Sequence, residues 1–390
     1  MIRKFVHGVL PAVILALCVG SIYAFSLFSP LISEKMGCSL AAAQFAFSLG
    51  IFGLGLGTAF FGPIVEKNIK AATVFGTLIF VSGLAIAGYA VKVNSLALLY
   101  IGYGFIHGFG VGIIYISPVK TCMLWFKRHP AVASAISIIS FGCGSSLTSW
   151  MFKVVSLHLE VWQMLPVFGL AYAVPMALGC LLLKKPSWAK AYQPKVSNFS
   201  YLKTACDGYF VRCFLFMFLS ISSGLALIGP AASILKESGW SVALVPTMVA
   251  AMGVSNGLGR FVFAWICDRL ERKQNIMYLI LFTGTVLTLV GWIFGKYAVL
   301  AAMIAIPAVY GAAFSCLPAI LSSHYGMSNI SKLHGFCLLS WSFAGLCGNQ
   351  FAVLIRESTG SFEWLFLALA VIYAFNTWLV APVVKGRYSK

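Results

Sequence analysis

Twelve apolar runs, each long enough to cross a lipid bilayer, set the terms for this chain. They fall at about residues 5–28, 40–64, 71–91, 96–123, 130–154, 163–183, 209–235, 241–266, 274–295, 298–322, 333–355 and 361–383. A bilayer's hydrocarbon layer is about 30 Å thick, and a helix rising about 1.5 Å per residue needs about 20 apolar residues to span it. In lipid the backbone can bond only to itself, so runs of this length read as helices. The connections are short, which leaves no room for a soluble catalytic domain. Composition agrees: 61% of residues are hydrophobic and 9% charged, against about 25% charged in a soluble domain. The basic start and first apolar run match the opening of a secretory leader. That run exceeds 20 residues and lacks a small-residue cleavage site, so it reads as a retained first span.

The formal net charge of +18, from 27 Lys+Arg and 9 Asp+Glu, would suggest a nucleic-acid partner in a soluble protein. Here placement matters more. If the N-terminus is inside, nineteen of the 27 basic residues fall on inner segments and six on outer loops; Lys120 and Arg260 lie within spans. The positive-inside rule then puts both termini in the cytoplasm, in a multi-pass protein of the cell (inner) membrane. The basic excess reads as topology and lipid contact, with no nucleic acid. Most of the 11 cysteines lie within apolar runs, and no CxxC or Cys/His spacing occurs. Neither a disulfide framework, a metal site nor a cofactor is expected.

The longest inner connection, 184–207, is basic and polar and divides the chain into 1–183 and 208–390. A repeat supports the division. Gly55-Leu56-Gly57-Thr58, with Phe61 and Glu66-Lys67, aligns at constant offset with Gly257-Leu258-Gly259-Arg260, Phe263 and Asp268-Arg269. Pro30 and Gly37 match Pro230 and Gly239 more loosely. The expectation is an all-α integral membrane protein, twelve transmembrane helices in two pseudo-symmetric six-helix bundles. Repeated halves are typical of secondary transporters, whose site lies near midplane between the repeats.

Arg260 is the residue that points to function. It lies eight residues inside the charged cluster that begins at Asp268, so roughly 12 Å into the hydrocarbon layer. A guanidinium there costs at least about 2.5–3.5 kcal/mol on insertion scales and usually marks a polar cavity or pathway. Its counterpart in the first half is Thr58, so shared helix packing does not need the cation. All nine acids (Glu34, Glu66, Glu160, Asp207, Glu237, Asp268, Glu271, Glu357 and Glu363) lie at loops or span ends. The counter-ion is therefore expected to be a substrate carboxylate, which a planar fork can hold by two parallel hydrogen bonds. Lys120 is read as snorkelling to the interface, and His107 as satisfied helix packing. Tyr310 and Phe314 either line the cavity or pack between helices. Gly104, Gly108 and Gly112 give span four a smooth face for close approach of another helix.

Gly62-Pro-Ile-Val-Glu66-Lys67-Asn-Ile-Lys70, and Asp268-Arg269-Leu-Glu-Arg272, close spans two and eight. They resemble the loop motif of the major facilitator superfamily, although the first copy has Glu for Asp and lacks a glycine. Such acids and bases can pair with neighbouring helix ends on a closed inner face, so Glu66, Lys67, Lys70, Asp268, Arg269 and Arg272 are expected to gate. The spaced glycines of span four with Tyr115, Pro118 and Trp125-Phe126 resemble the oxalate–formate antiporter family within that superfamily. So do Gly20-Ser-Ile-Tyr23-Ala-Phe25 and the stretch from Gly257 to Arg260 and Asp268-Arg269. The resemblance implies the major facilitator fold, carboxylate binding by Arg260, and a cavity with Tyr23 and Tyr115. Trp341 stands where the oxalate-transporting member carries a lysine, and Pro130-Ala131 where the family favours Arg-Gly.

One cation in place of two favours a monocarboxylate such as formate, lactate or pyruvate over a dianion. The expected protein is a monomeric, lipid-embedded secondary transporter of small organic anions, working by alternating access and exchange rather than catalysis. Proton-coupled monocarboxylate symport is the alternative, and a transporter-like sensor or scaffold the reading from another class.

Overall fold

The computed structural model describes residues 2–126, 130–186, 200–293, 295–325 and 330–386, with all their side chains except those of 62–67, 120, 123, 130–135, 201 and 330–332. It is all-helical. Twelve helices are long and apolar enough to cross a membrane: α1 (Ile2–Met36), α2 (Leu40–Phe61), α3 (Ile69–Lys92), α4 (Leu96–Val119), α5 (Ile136–Val155), α6 (Val161–Leu182), α7 (Gly208–Ile228), α8 (Val245–Arg269), α9 (Asn275–Ile293), α10 (Gly295–Tyr325), α11 (Leu333–Thr359) and α12 (Glu363–Val384). With an even number of spans both chain ends share one face, called here the terminal face. Of the expected linker 184–207, residues 187–199 lie outside the described residues.

Local chemistry sets the helix ends. Asn68 Oδ1 accepts from Ala71 N to start α3, and Asp207 Oδ1 accepts from Tyr209 N and Phe210 N to start α7. Glu160 and Gln163 form a reciprocal capping box on α6. These side chains satisfy N–H groups that the first turn leaves without partners. Gly37 (φ 61°) ends α1, and its repeat partner Gly239 (φ 86°) follows the matching short helix. Both occupy the left-handed region that glycine enters without steric cost.

Two expected boundaries are corrected. Span seven does not run to 235 as one helix. It stops at Ile228, and a separate helix covers Ala231–Glu237, because Pro230 has no N–H to continue the ladder and its own backbone (φ −90°, ψ 18°) leaves the helical region, while Gly229 still keeps it. Span eight begins at Val245 rather than 241, with Pro246 in its first turn, where the missing N–H costs nothing.

Glycines let the two repeats pack alike. In α2, a Cβ on Gly57 would lie 2.8 Å from the Phe109 carbonyl oxygen of α4, and one on Gly55 would collide with Ser342 of α11. In α8, a Cβ on Gly259 would sit 2.3 Å from Ala308 Cα of α10, and one on Gly257 would meet Cys143 Sγ of α5 at 2.5 Å. Each repeat helix thus touches one helix of its own half and one of the other. On α4, Gly104, Gly108 and Gly112 all face α2, with Gly108 against the Gly50 backbone and Gly112 against Leu54 O and Thr58 N. Close backbone contact of this kind is how helices associate where water gives no hydrophobic drive.

The α5–α8 and α2–α11 contacts form the seam between the halves. On its non-terminal side the seam carries buried and part-buried polar bonds. Ser146 Oγ donates to Ala250 O at 2.6 Å. Asn349 Nδ2 donates to Gln44 O and Ser48 Oγ at 3.0 and 3.1 Å. The ion pairs among the described residues, Lys35–Glu160 and Arg356–Glu237, lie on the non-terminal face, each within one half. Hydrogen bonding from Lys35, with its charge, holds the exposed Glu160 carboxyl below its ordinary range.

Candidate functional site

α8 carries Arg260 on the face turned to α10 and α5, and burial there is nearly complete at 1% exposure. One turn earlier Asn256, 2% exposed, accepts a hydrogen bond from Arg260 Nε through Oδ1 at 3.1 Å. The other two guanidinium nitrogens, Nη1 and Nη2, are buried without a hydrogen-bond partner. Phe314 from α10 and Phe141 from α5 lie 5.0 and 5.9 Å from the guanidinium carbon, ring centre to Cζ. Aromatic faces of that kind attract a cation but accept no hydrogen bond from its edge.

The structure brings all six sequence-derived binding candidates together. Tyr23 Oη and Tyr310 Oη are 2.6 Å apart, one from each half. Tyr310 packs on Phe314 at 5.2 Å between centroids, Phe314 on Trp341 at 4.7 Å, and Trp341 on Tyr115 at 5.7 Å. The phenols of Tyr23, Tyr115 and Tyr310 are all within electrostatic reach of Arg260. Trp341 Nε1 is buried without a hydrogen bond of ordinary geometry and lies near the Tyr310 hydroxyl, a third donor in the same cluster.

Three residues of the cluster were missed from sequence. Phe141 packs against Tyr23, Tyr115 and Trp341 at 5.3, 5.0 and 6.0 Å and is completely buried. Nothing in the sequence distinguishes it from the other 31 phenylalanines. Asn256 could have been read from its spacing, since a residue four before Arg260 lies on the same helix face. Ser145 joins Tyr23 and Asn256 in lining a small void that runs along α8 from Val249.

That void is about 10 Å³, close to the space of one water molecule. Around these residues the centre between the halves is closed in this conformation. The cause is the seam: Gly142 packs against the Gly257 backbone, Ser145 and Ser146 fill the space beside Gly253, and the two tyrosine hydroxyls meet across the middle.

The expected gating residues lie elsewhere. Glu66 and Lys67 fall outside the described side chains, as do Lys120, Pro130 and Ala131. Lys70, Asp268, Arg269 and Arg272 are exposed at helix ends on the terminal face. Arg269 lies 3.5 Å over the Trp265 ring and donates to Trp265 O. Lys273 Nζ donates to the carbonyls of Cys267, Asp268 and Leu270 at the end of α8. His107 is buried between the Phe80 and Tyr103 rings, with Nδ1 3.3 Å from Phe80 O, a packed residue of the first half. Among the described residues, no group of three or more His, Cys, Asp or Glu could hold a metal ion.

No family profile matches the sequence. The chain is 23% identical to an uncharacterized MFS-type transporter, YhjX, of Escherichia coli strain K12, over 86% of its length and 84% of that protein. It is 22% identical to the oxalate:formate antiporter of Oxalobacter formigenes over 100% of its length and 93% of that protein. Human monocarboxylate transporter 11 matches at 25% over 70% of this chain and 60% of its own. Among solved structures, the major facilitator superfamily transporter FucP in the outward conformation superposes with a TM-score of 0.65 at 14% identity, covering 96% of this chain and 97% of that one. The chain is therefore a multi-pass membrane protein that shares the fold of major facilitator superfamily transporters and is similar to such transporters along its length.

Proposed function

We propose that this chain carries small organic anions across the membrane by alternating access, monocarboxylates in preference to dicarboxylates, with Arg260 binding the cargo's carboxylate. The carrying observation is a buried guanidinium between the halves whose Nη1 and Nη2 lack partners, in a chain whose acids all lie at loops or helix ends. A carboxylate bonded to both nitrogens would be worth roughly 4 kcal/mol at an effective dielectric near 20 and about 4 Å separation, enough to offset much of the burial cost. Trp341 Nε1 and the three phenols complete a donor-rich, aromatic-walled pocket. The relatives that transport oxalate and formate, or bear the monocarboxylate name, agree with that chemistry.

In this reading the closed centre is one stage of the cycle. The halves part at the α2–α11 and α5–α8 seams, the Tyr23–Tyr310 contact opens, and the anion reaches Arg260. An unliganded guanidinium resists the swing between faces, which favours exchange over net flux. The termini lie in the cytoplasm of a cell (inner) membrane, and the loop residues Glu66, Lys67, Lys70, Asp268, Arg269 and Arg272 close that face. The protein works as a monomer and catalyses no covalent step. Vesicles containing the purified protein test this. Loaded with unlabelled formate, lactate or pyruvate, they should take up the labelled anion; vigorous uptake into vesicles holding no internal anion overturns obligatory exchange, and no uptake of any of them overturns the reading.

One observation favours proton coupling as a second reading. His334, seven residues before Trp341 on α11, has a buried Nε2 without a partner. Uptake that rises with an inward proton gradient and collapses with an uncoupler selects this alternative.

A further inference from the structure

We infer that Asn256 is a positioning residue: it holds Arg260 by Nε and so keeps the Nη1–Nη2 edge free for an anion. The inference rests on the proposed function and adds to it a residue that never needs to touch the cargo. A guanidinium has five N–H donors in a rigid plane. Which of them meet a ligand depends on which are already occupied. Here the side-chain acceptor in hydrogen-bond geometry is the Asn256 amide oxygen, at 3.1 Å from Nε, with the Tyr115 hydroxyl close to the guanidinium. The two terminal nitrogens remain, and a carboxylate matches that edge with two parallel bonds.

The repeat shows that the pair is an addition rather than part of the scaffold. The constant offset that matches Arg260 to Thr58 matches Asn256 to Leu54. α2 and α8 make equivalent glycine contacts, yet one carries Leu54 and Thr58 and the other Asn256 and Arg260. The neighbouring helix makes room for the pair with a glycine that both repeats carry. A Cβ on Gly311 of α10 would lie 2.6 Å from Asn256 O, 2.8 Å from Arg260 Cγ and 2.9 Å from Asn256 Oδ1. Gly112 of α4 faces Leu54 and Thr58 in the same way.

The acceptor's neutrality matters as much as its place. An aspartate there has nearly the same shape and also accepts from Nε, but its charge neutralises the guanidinium from within the chain. Cargo would then compete with a permanent intramolecular carboxylate. An acceptor that merely satisfied a buried cation would work better charged. The two roles thus predict opposite outcomes for one substitution.

The test measures exchange of labelled formate, lactate and pyruvate in vesicles for wild type, Asn256→Asp and Asn256→Leu, with thermal melting of each purified protein. Asn256→Asp should melt at or above the wild-type temperature while its KM rises by about 100-fold or more, the scale of truncating or blocking a charge-assisted pair. Asn256→Leu, which restores the side chain of the other repeat, should raise KM by about 10-fold, one hydrogen bond to a charged group, with Vmax little changed. Wild-type-like exchange by Asn256→Asp overturns the positioning role alone, as does a loss confined to Vmax in Asn256→Leu. If wild type exchanges none of the three anions, the proposed function falls and this inference with it.

Discussion

Thr58 and Arg260 occupy equivalent places in two helices that pack the same way, and they solve the problem of a buried polar group in opposite fashions. Thr58 Oγ1 donates to Leu54 O at 3.0 Å and lies 3.3 Å from Gly112 O. It needs nothing from outside the protein. Arg260 uses one nitrogen on Asn256 and leaves two without acceptors. Because the glycine contacts around them correspond, packing cannot be the reason for the difference. One repeat is finished as structure, and the other is left incomplete at the middle of the membrane, where incompleteness is expensive. Such sites persist where the missing partner arrives as a ligand.

The comparison breaks most directly by making the repeats alike. Arg260→Thr should remove anion exchange, by about 100-fold or more on the scale of a buried charge pair, while the protein still inserts and melts cooperatively. Retained exchange would end the assigned role. Adding a cation should sharpen the comparison instead. Trp341→Lys is expected to move preference toward dicarboxylates by about 10-fold, the scale of one further charge-assisted contact, read as the ratio of oxalate to formate uptake; an unchanged ratio removes the charge-counting argument. The glycines test the shared scaffold. Gly259→Ala and Gly57→Ala should each destabilise by about 1–3 kcal/mol through overpacking, the first more because its Cβ would sit 2.3 Å from Ala308 Cα against 2.8 Å from Phe109 O. Equal melting to wild type for both would show that the backbones can part freely.

Smaller effects should follow at Thr58 and on the non-terminal face. Thr58→Val loses its carbonyl bonds and should cost about 0.6 kcal/mol, the average for such bonds in a membrane protein, with exchange unchanged. Lys35→Met should lower the melting temperature only slightly at neutral pH. The Glu160 carboxyl is held below its ordinary range by Lys35, so the pair's contribution is present above the unfolded pKa and fades as pH falls through the folded one. The difference between variant and wild type should therefore close in acid; a gap that widens there would contradict the pairing.

Much of this was legible in sequence because it is local. Apolar runs mark spans, and the glycine spacing that aligns α2 with α8 is read directly from the chain. Arg260 stands out because charge is rare where it sits. The break at Gly229–Pro230 was also written in a turn-forming dipeptide, although hydropathy alone carried the span across it. What could not be read was tertiary. Phe141 reaches the site because Gly142 and Gly257 bring α5 and α8 into backbone contact. The closed centre depends on Ser146, Asn349 and the Tyr23–Tyr310 pair meeting partners 104 to 305 residues away. A single polar residue in an apolar run announces a partner but not which one.

Tyr23 sits on a stretch of α1, Gly20–Ala24, wound as a 3-10 helix. Such winding turns about 120° per residue where an α-helix turns about 100°. If those five residues relaxed to the ordinary pitch, the accumulated difference would be about 100°, slightly more than a quarter turn, and everything beyond Ala24 would rotate with it. The phenol could then leave Tyr310 by an unscrewing of its own helix, before either bundle tilts.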